Sequence, residues 1–216
     1  MIVLFVQSRF IMNLSVLKPE AIVNEVFAMY EKYGKRSSAG ESDSQLDQVT
    51  QAAALAEEEG FEDEVILAAF FHDIGCLYAS NASGNVNQER LGAEYLREHG
   101  FSERLAALVG SDVMTKRYLA FKSPEYYDHL SADEKRELDV QGGPLTKEQA
   151  ANFELDPDAE LFVRLRYLND KAKEVKRPYR RDLSHLKLLA TTHLYKIIDQ
   201  YLPPFLMPKT IAKPTI

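Results

Sequence analysis

The sequence predicts an all-α protein with a single helical domain. Apolar residues recur at helical spacing over most of the chain from residue 18 onward, as Ile22, Val26 and Tyr30 do in the first such stretch. Apart from the first residues, no stretch sustains the alternation of apolar and polar residues that a half-buried strand requires. The length of 216 residues suits one domain with a full hydrophobic core, and no internal repeat divides it.

Start and stop signals place the helices in order along the chain. Pro19 suits a first helical turn and Gly34 ends that helix, while Ser44 precedes the second helix. Thr146 and Gln149 form the capping-box pattern at the start of a later helix. In chain order, we expect helices over residues 19–33, 45–59, 62–77, 88–99, 102–119, 131–138, 146–152, 158–173 and 182–202.

The two ends of the chain differ from the helical domain. The first residues are apolar, but Arg9 interrupts them and the stretch is too short to span a bilayer. We predict an N-terminal arm over residues 1–17, a helical domain over 18–202 and a Pro-rich C-terminal tail over 203–216. We expect a soluble, cytoplasmic protein that does not act on membranes.

Composition excludes several classes of function. The chain has 26 Lys and Arg against 33 Asp and Glu, and its net charge of −7 argues against binding to nucleic acid. A hydrophobic fraction of 45% with 27% charged residues excludes a disordered or fibrous chain. Cys76 is the single cysteine, which excludes a disulfide framework and a CxxC zinc site.

The most informative motif is His72-Asp73-Ile74-Gly75, which follows the apolar run 66–71. An adjacent imidazole and carboxylate can bind one or two metal ions when neighbouring groups orient them. The alternative is a His-Asp pair that only forms hydrogen bonds with the nearby backbone. Its place at the end of an apolar helix in an all-α protein makes the motif specific.

The chain resembles the HD-domain superfamily of metal-dependent phosphohydrolases and diiron oxygenases, in the PhnZ-like branch that contains the aminohydroxyethylphosphonate dioxygenases. The resemblance covers about residues 36–175 and implies an all-α HD fold. Besides the HDIG motif, the blocks that carry it are Gln45-Leu46, 51–53, 91–96, 116–119, 141–144 and 164–166.

The resemblance also implies a mixed-valence diiron centre held by four histidines and two aspartates, but most of these positions differ. The six positions fall on His72, Asp73, Gln48, Gln88, Asp112 and Asn169. Amide side chains are much poorer ligands for iron than imidazole or carboxylate. We therefore expect no metal and no cofactor, with a single metal on His72, Asp73 and Asp112 as the alternative.

The substrate positions implied by the resemblance are altered as well. Lys116 and Gln141 match the residues that bind the phosphonate, and Glu41 matches a gating glutamate. The expected hydroxyl residues fall on Glu134 and Glu137. Two carboxylates facing a phosphonate dianion would repel it, so we expect a different small-molecule ligand.

Our leading hypothesis is a repurposed, metal-independent acid–base enzyme. Asp73 and Asp112 would raise each other's pKa, so that one donates a proton while the other, or His72, accepts one. Lys116 would stabilise a developing oxyanion or enolate. This set suits isomerisation, elimination or cyclisation. The residues expected to bind the substrate are Glu41, Gln48, Gln88, Glu134, Glu137, Gln141 and Asn169.

The second hypothesis is a non-catalytic pseudoenzyme that binds a ligand or a partner. Its last helix and tail would then supply an interface or the arm of a homodimer. A one-metal phosphohydrolase or a surviving oxygenase is the least favoured reading. The enzyme hypothesis requires Lys116, Asp112 and His72 to converge on an open cavity, whereas a closed polar network favours binding.

Overall fold

A computed structural model describes residues 18–33, 44–79, 87–174 and 183–201 of the chain. All regular secondary structure in these residues is helical, which confirms the predicted all-α fold. The predicted arm, the predicted tail and Glu41 lie outside the described residues.

The helices begin and end close to the expected positions, with two additional breaks and one helix, Pro124–His129, that was not predicted. None of the described helices is both long and apolar enough to cross a membrane. In chain order they are α1 Pro19–Tyr33, α2 Gln45–Glu58, α3 Asp63–Phe71, α4 Ile74–Ala79, α5 Gln88–Glu98, α6 Glu103–Gly110, α7 Asp112–Lys122, α8 Pro124–His129, α9 Ala132–Val140, α10 Lys147–Glu154, α11 Ala159–Glu174 and α12 Ser184–Tyr201.

The predicted caps are present. Ser44 caps α2 in a capping box with Asp47, and Thr146 caps α10 in a second box with Gln149. After α2, Gly60 adopts a φ of 73°, a conformation that other residues rarely adopt. These signals are local in sequence, and this is why the helix starts were predictable.

Two predicted helices are each broken in two. The helix expected over 62–77 stops at a turn containing His72 and Asp73, and the helix expected over 102–119 is interrupted at Ser111. At the second break, the hydroxyl of Ser111 donates to the carbonyl oxygen of Leu108 at 2.8 Å. Such a side-chain bond competes with continuation of the helix. The second break places Asp112 in the first turn of α7.

Helix α3 is the central helix of the domain. Every residue from 65 to 71 is buried, and α3 packs against α2, α6, α11 and α12. A helix that is apolar on all sides belongs in the interior. Its C-terminal end carries the turn with His72 and Asp73, which therefore lies against the core.

An aromatic cluster fixes the end of α3. The rings of Phe27 and Phe70 stack with centroids 4.9 Å apart, and Phe71 contacts Phe101 edge to face at 5.3 Å. The hydroxyl of Tyr30 donates to the carbonyl oxygen of Phe70 at 3.2 Å. Burying several aromatic rings together stabilises this end of the helix strongly.

Helices α4 and α5 cross at backbone contact. A Cβ atom on Gly75 would lie 1.8 Å from the carbonyl oxygen of Gln88, so only glycine fits at this position. Gly92 faces the same contact from α5, where a Cβ atom would lie 3.0 Å from the Gly75 nitrogen. The crossing holds the first turn of α5 beside the His72-Asp73 turn.

Candidate functional site

His72 is oriented by the backbone of the helix that precedes it. Its Nδ1 lies 2.7 Å from the carbonyl oxygen of Ala69, and its Nε2 lies 3.5 Å from Oδ2 of Asp73. A neutral imidazole that donates from Nδ1 keeps its lone pair on Nε2. The two side chains are 11% and 29% exposed, so a small molecule or an ion can reach the pair.

Asp112 is bound by a buried cation. Nη1 of Arg166 donates to Oδ2 of Asp112 at 2.7 Å, and only 6% of the Arg166 side chain is exposed. The same guanidinium donates to both oxygens of Asp170, at 2.6 and 3.0 Å, and to the Tyr126 hydroxyl at 3.1 Å. The first turn of α7, helix α8 and helix α11 are thereby tied together.

Of the two proton-transfer roles that the sequence left open to Asp112, its surroundings disfavour that of proton donor. Burial alone would raise the pKa of this carboxyl, but Arg166, followed by His72 and two lysines, outweighs burial and leaves the pKa below its ordinary value. Asp112 is therefore a carboxylate at neutral pH. The sequence predicted that Asp73 and Asp112 would raise each other's pKa values. That effect does not determine the pKa of Asp112.

The positive charge of Lys116 is also balanced by a side chain of the protein, that of Glu137. Its Nζ donates to Oε2 of Glu137 at 2.9 Å, while Nε2 of Gln141 donates to the other oxygen, Oε1, at 3.2 Å. The Lys116 side chain is 4% exposed and that of Glu137 is 59% exposed. Among the described residues, Oε1 of Gln141 is a buried atom without a hydrogen-bond partner.

Glu134, which is predicted to bind substrate, forms part of the N-terminal cap of α9. Its Oε2 accepts hydrogen bonds from the backbone N–H and the hydroxyl of Ser131, at 2.9 and 2.8 Å, in the capping box of α9. Its other oxygen lies 3.6 Å from Nζ of Lys173. The Ser131-x-x-Glu134 spacing is itself a capping-box signal in the sequence.

The three amide positions have different surroundings. Gln48 is half-buried on α2, and Gln88 is exposed at the first position of α5. Oε1 of Gln88 lies 3.0 Å from the sulfur of Cys76, which donates to it; burial, with Asp73 next, raises the pKa of this thiol. Asn169 is 4% exposed, and its Oδ1 has no hydrogen-bond partner within the described part of the chain.

A cavity of about 1070 Å³ lies next to these groups, between α5, α6, α7, α9, α10 and α11. Gln88, Glu137 and Gln141, which were predicted to bind substrate, line it, whereas Gln48, Glu134 and Asn169 do not. None of the four predicted catalytic residues lines it either. Binding by Gln88, Glu137 and Gln141 remains a prediction.

Glu89 is a cavity residue that the sequence argument missed. It lies in the first turn of α5 and is half-buried. Burial raises its pKa, as do the nearby Asp112 and Glu137, while its own backbone and Lys116 act in the opposite direction. Glu89 lies beside the His72-Asp73 turn because α4 and α5 cross there. This crossing could not be predicted from the sequence.

The side chains at the six positions do not fit a diiron centre. His72 and Asp73 offer a nitrogen and an oxygen 3.5 Å apart, but the oxygen of Asp112 is already bound to a guanidinium. The remaining three positions offer amides, which are poor ligands for iron. Within the described ranges, no group of three or more His, Cys, Asp or Glu side chains is arranged to hold a metal ion.

An all-helical domain with a His-Asp turn at the end of its central helix defines an HD-domain protein. No family model matches the chain. It is 30% identical over 167 residues to a glycine-betaine-forming 1-hydroxy-2-(trimethylamino)ethylphosphonate dioxygenase from Leisingera caerulea, covering 74% of this chain and 85% of that enzyme. It is 31% identical over 162 residues to a hydroxymethylphosphonate dioxygenase from Gimesia maris, covering 72% and 80%.

The chain therefore belongs to the family of these phosphonate dioxygenases. It is also 39% identical over 158 residues to an uncharacterized protein of Acanthamoeba polyphaga mimivirus, which covers 70% of this chain and 72% of the viral protein. The relationship confirms the expected PhnZ-like resemblance at the level of the family.

Proposed function

We propose that this chain is a metal-independent member of the family that binds a small molecule and does not oxygenate a phosphonate. One observation carries the proposal. The cavity is lined by Gln88, Glu137 and Gln141, whereas Asp112 and Lys116, two of the groups that catalysis would use, are held in ion pairs. This is the arrangement that favours binding over the leading enzyme hypothesis.

The chemistry of the donors supports metal independence. Three of the six positions that would hold iron carry neutral amides, which bind iron poorly. Arg166 places a permanent positive charge 2.7 Å from the Asp112 carboxylate. That charge satisfies the carboxylate and repels a second cation at the same place.

The charges beside Lys116 disfavour a phosphonate at that place. The charge of Lys116 is compensated by Glu137 at 2.9 Å, and Glu89 adds a second carboxyl to the cavity wall. Arg90, Arg97 and Arg117 also line the cavity, so this repulsion applies to the place beside Lys116, where a phosphonate dianion would meet the Glu137 carboxylate.

A metal-independent acid–base enzyme is the second candidate, and the geometry of His72 favours it. Nδ1 is held by the Ala69 carbonyl, so Nε2 faces Asp73 at 3.5 Å as a fixed proton acceptor. The variant His72→Gln distinguishes an acid–base enzyme from a binding protein. An enzyme would lose turnover while retaining its ligand, whereas a binding protein would retain its ligand and show no turnover to lose.

The first test is reconstitution with Fe(II) under anaerobic conditions, followed by exposure to oxygen with each of the two phosphonates that the relatives are named for. We expect neither stoichiometric iron nor phosphonate-dependent oxygen uptake, with the Leisingera caerulea enzyme as the positive control. Tightly bound iron together with oxygen uptake would overturn the proposal.

The second arm of the test concerns the cavity. Ala107 lines it, and Ala107→Trp would fill part of the space; Ala54 is exposed on α2, so Ala54→Trp is the matched control. Native mass spectrometry should detect a copurifying small molecule on the wild type and on Ala54→Trp, but not on Ala107→Trp. A ligand that persists in Ala107→Trp would exclude the cavity as its site.

A further inference from the structure

Both oxygens of the Glu137 carboxylate are held by hydrogen-bond donors. Nζ of Lys116 binds Oε2 at 2.9 Å, and Nε2 of Gln141 binds Oε1 at 3.2 Å. Within the described residues, Glu137 supplies the only carboxylate oxygen within 4.0 Å of Nζ of Lys116. A cation and an amide on opposite oxygens form a complete site for one carboxylate group.

The two donors are fixed, whereas the carboxylate is not. Lys116 is 3% exposed on α7, and Gln141 is the C-cap residue of α9. The loop after Gln141 is held by Arg117, which donates to the carbonyl oxygens of Gly143 at 2.8 Å and Gly142 at 3.2 Å. The Glu137 side chain is 59% exposed and has room to rotate into solvent.

We propose that Glu137 is a tethered carboxylate that fills a site formed by Lys116 and Gln141, and that a ligand bearing a carboxylate enters the cavity by displacing it. The inference rests on the proposed function, because it takes the cavity as the ligand site and names the chemical class of its ligand. Glu137 and Gln141 both line the cavity, and Lys116 lies directly behind Glu137 without lining it, so displacement of the Glu137 carboxylate would open Lys116 to the cavity.

Displacement keeps the local charge balanced. A buried lysine without a counter-charge is unfavourable, but a ligand carboxylate replaces the one that leaves. A tethered group competes with an effective concentration on the order of millimolar. Simple carboxylates therefore bind the wild type weakly, and the true ligand needs further contacts with the cavity wall.

Acetate is the probe for this site. Glu137→Ala removes the tethered carboxylate and leaves Lys116 without its partner, so its Tm should fall. Acetate should then raise the Tm of Glu137→Ala more than chloride at equal ionic strength, with an apparent affinity about tenfold or more above that of the wild type. Asp139→Asn removes a charge from an exposed position on the same helix and should behave as the wild type does.

Two variants keep the test decisive. Lys116→Met combined with Glu137→Ala should abolish the acetate response. Glu137→Gln, which retains the hydrogen-bond acceptor without its charge, should fold if Glu137→Ala does not, and should bind acetate more tightly than the wild type.

An acetate response no larger than the chloride response, or one that survives loss of Lys116, would overturn the inference. Neither result affects the measurements of bound iron and oxygen uptake. Those measurements test the proposed function independently of this inference.

Discussion

At the scale of single residues, Arg166 occupies the most constrained position in the site. Its guanidinium binds two carboxylates and a hydroxyl from three helices, and it is almost completely buried. Replacing a buried ion pair by apolar groups of the same shape is often neutral, whereas removing one partner is costly. Arg166 is therefore required here because Asp112 and Asp170 are both present.

We expect Arg166→Met to reduce the free energy of unfolding by about 3–5 kcal/mol, because two partly buried carboxylates lose their shared cation. Urea unfolding measures the effect. Arg164→Met is the matched control on the same helix: Arg164 is exposed over the ring of Phe61 at 4.4 Å, and its loss should cost about 1 kcal/mol or less. Equal losses in the two variants would contradict a special role for Arg166.

Residue identity predicted the site only partly. The His72-Asp73 turn was visible in the sequence, because it matches a known motif. The partners of Arg166 were not, because Asp112 and Tyr126 lie 54 and 40 residues away along the chain. Long-range ion pairs follow from helix packing, and helical periodicity carries no information about them.

At the scale of helices, a polar cluster joins α3, α6 and α12 on the far side of the aromatic core. Nε2 of His193 accepts a hydrogen bond from the backbone N–H of Ser102 at 3.2 Å, and the Ser102 hydroxyl donates to Glu64. The ring of His193 stacks on Phe101 at 5.8 Å. This cluster, called the junction below, requires an unprotonated Nε2 on His193. The neutral imidazole of His193 is therefore the form that fits.

This junction should make stability depend on pH. Burial lowers the pKa of His193 below its ordinary value, with Lys196 adding to this effect while Glu64 and Asp63 oppose it. As pH falls below about 6.5, the unfolded chain binds a proton that the folded chain does not, so stability is lost with a slope of at most about 1.4 kcal/mol per pH unit. Stability from this group is present above that pH.

Denaturant unfolding between pH 7 and pH 5 tests the sign. His193→Gln retains an acceptor for the Ser102 N–H and should remove this part of the pH dependence. His129→Gln alters an exposed histidine on α8 and should keep the wild-type slope. A slope unchanged by His193→Gln would show that other groups cause the pH dependence.

Helix starts were predictable, whereas helix breaks were not. Ser44 and Thr146 cap helices where their side chains indicated, because a cap is decided by residues a few positions apart. The break at Ser111 is marked by the bond from its hydroxyl to the Leu108 carbonyl, and at both breaks the two flanking helices each pack against other helices. Sequence periodicity therefore predicted two long helices where four shorter ones are present.

At the scale of the whole molecule, the helical fold holds cations of the protein beside partly buried carboxylates. Arg166 pairs with Asp112 and Lys116 pairs with Glu137, so these carboxylates are balanced by cations of the protein. An internal cation and a bound metal ion are alternative ways to stabilise buried carboxylates. The fold is thus compatible with either arrangement, and only the side chains decide between them.

Restoring the missing ligands should therefore restore metal binding. We expect a quadruple variant, Gln48→His, Gln88→His, Asp112→His and Asn169→Asp, to bind iron, because it supplies imidazole and carboxylate at every position beside His72 and Asp73 that the family relationship implies. Elemental analysis after anaerobic loading with Fe(II) measures the gain over the wild type. The same variant with His72→Gln is the control and should bind less iron. If circular dichroism shows the quadruple variant folded but it binds no iron, the family ligand positions are assigned to the wrong residues of this chain.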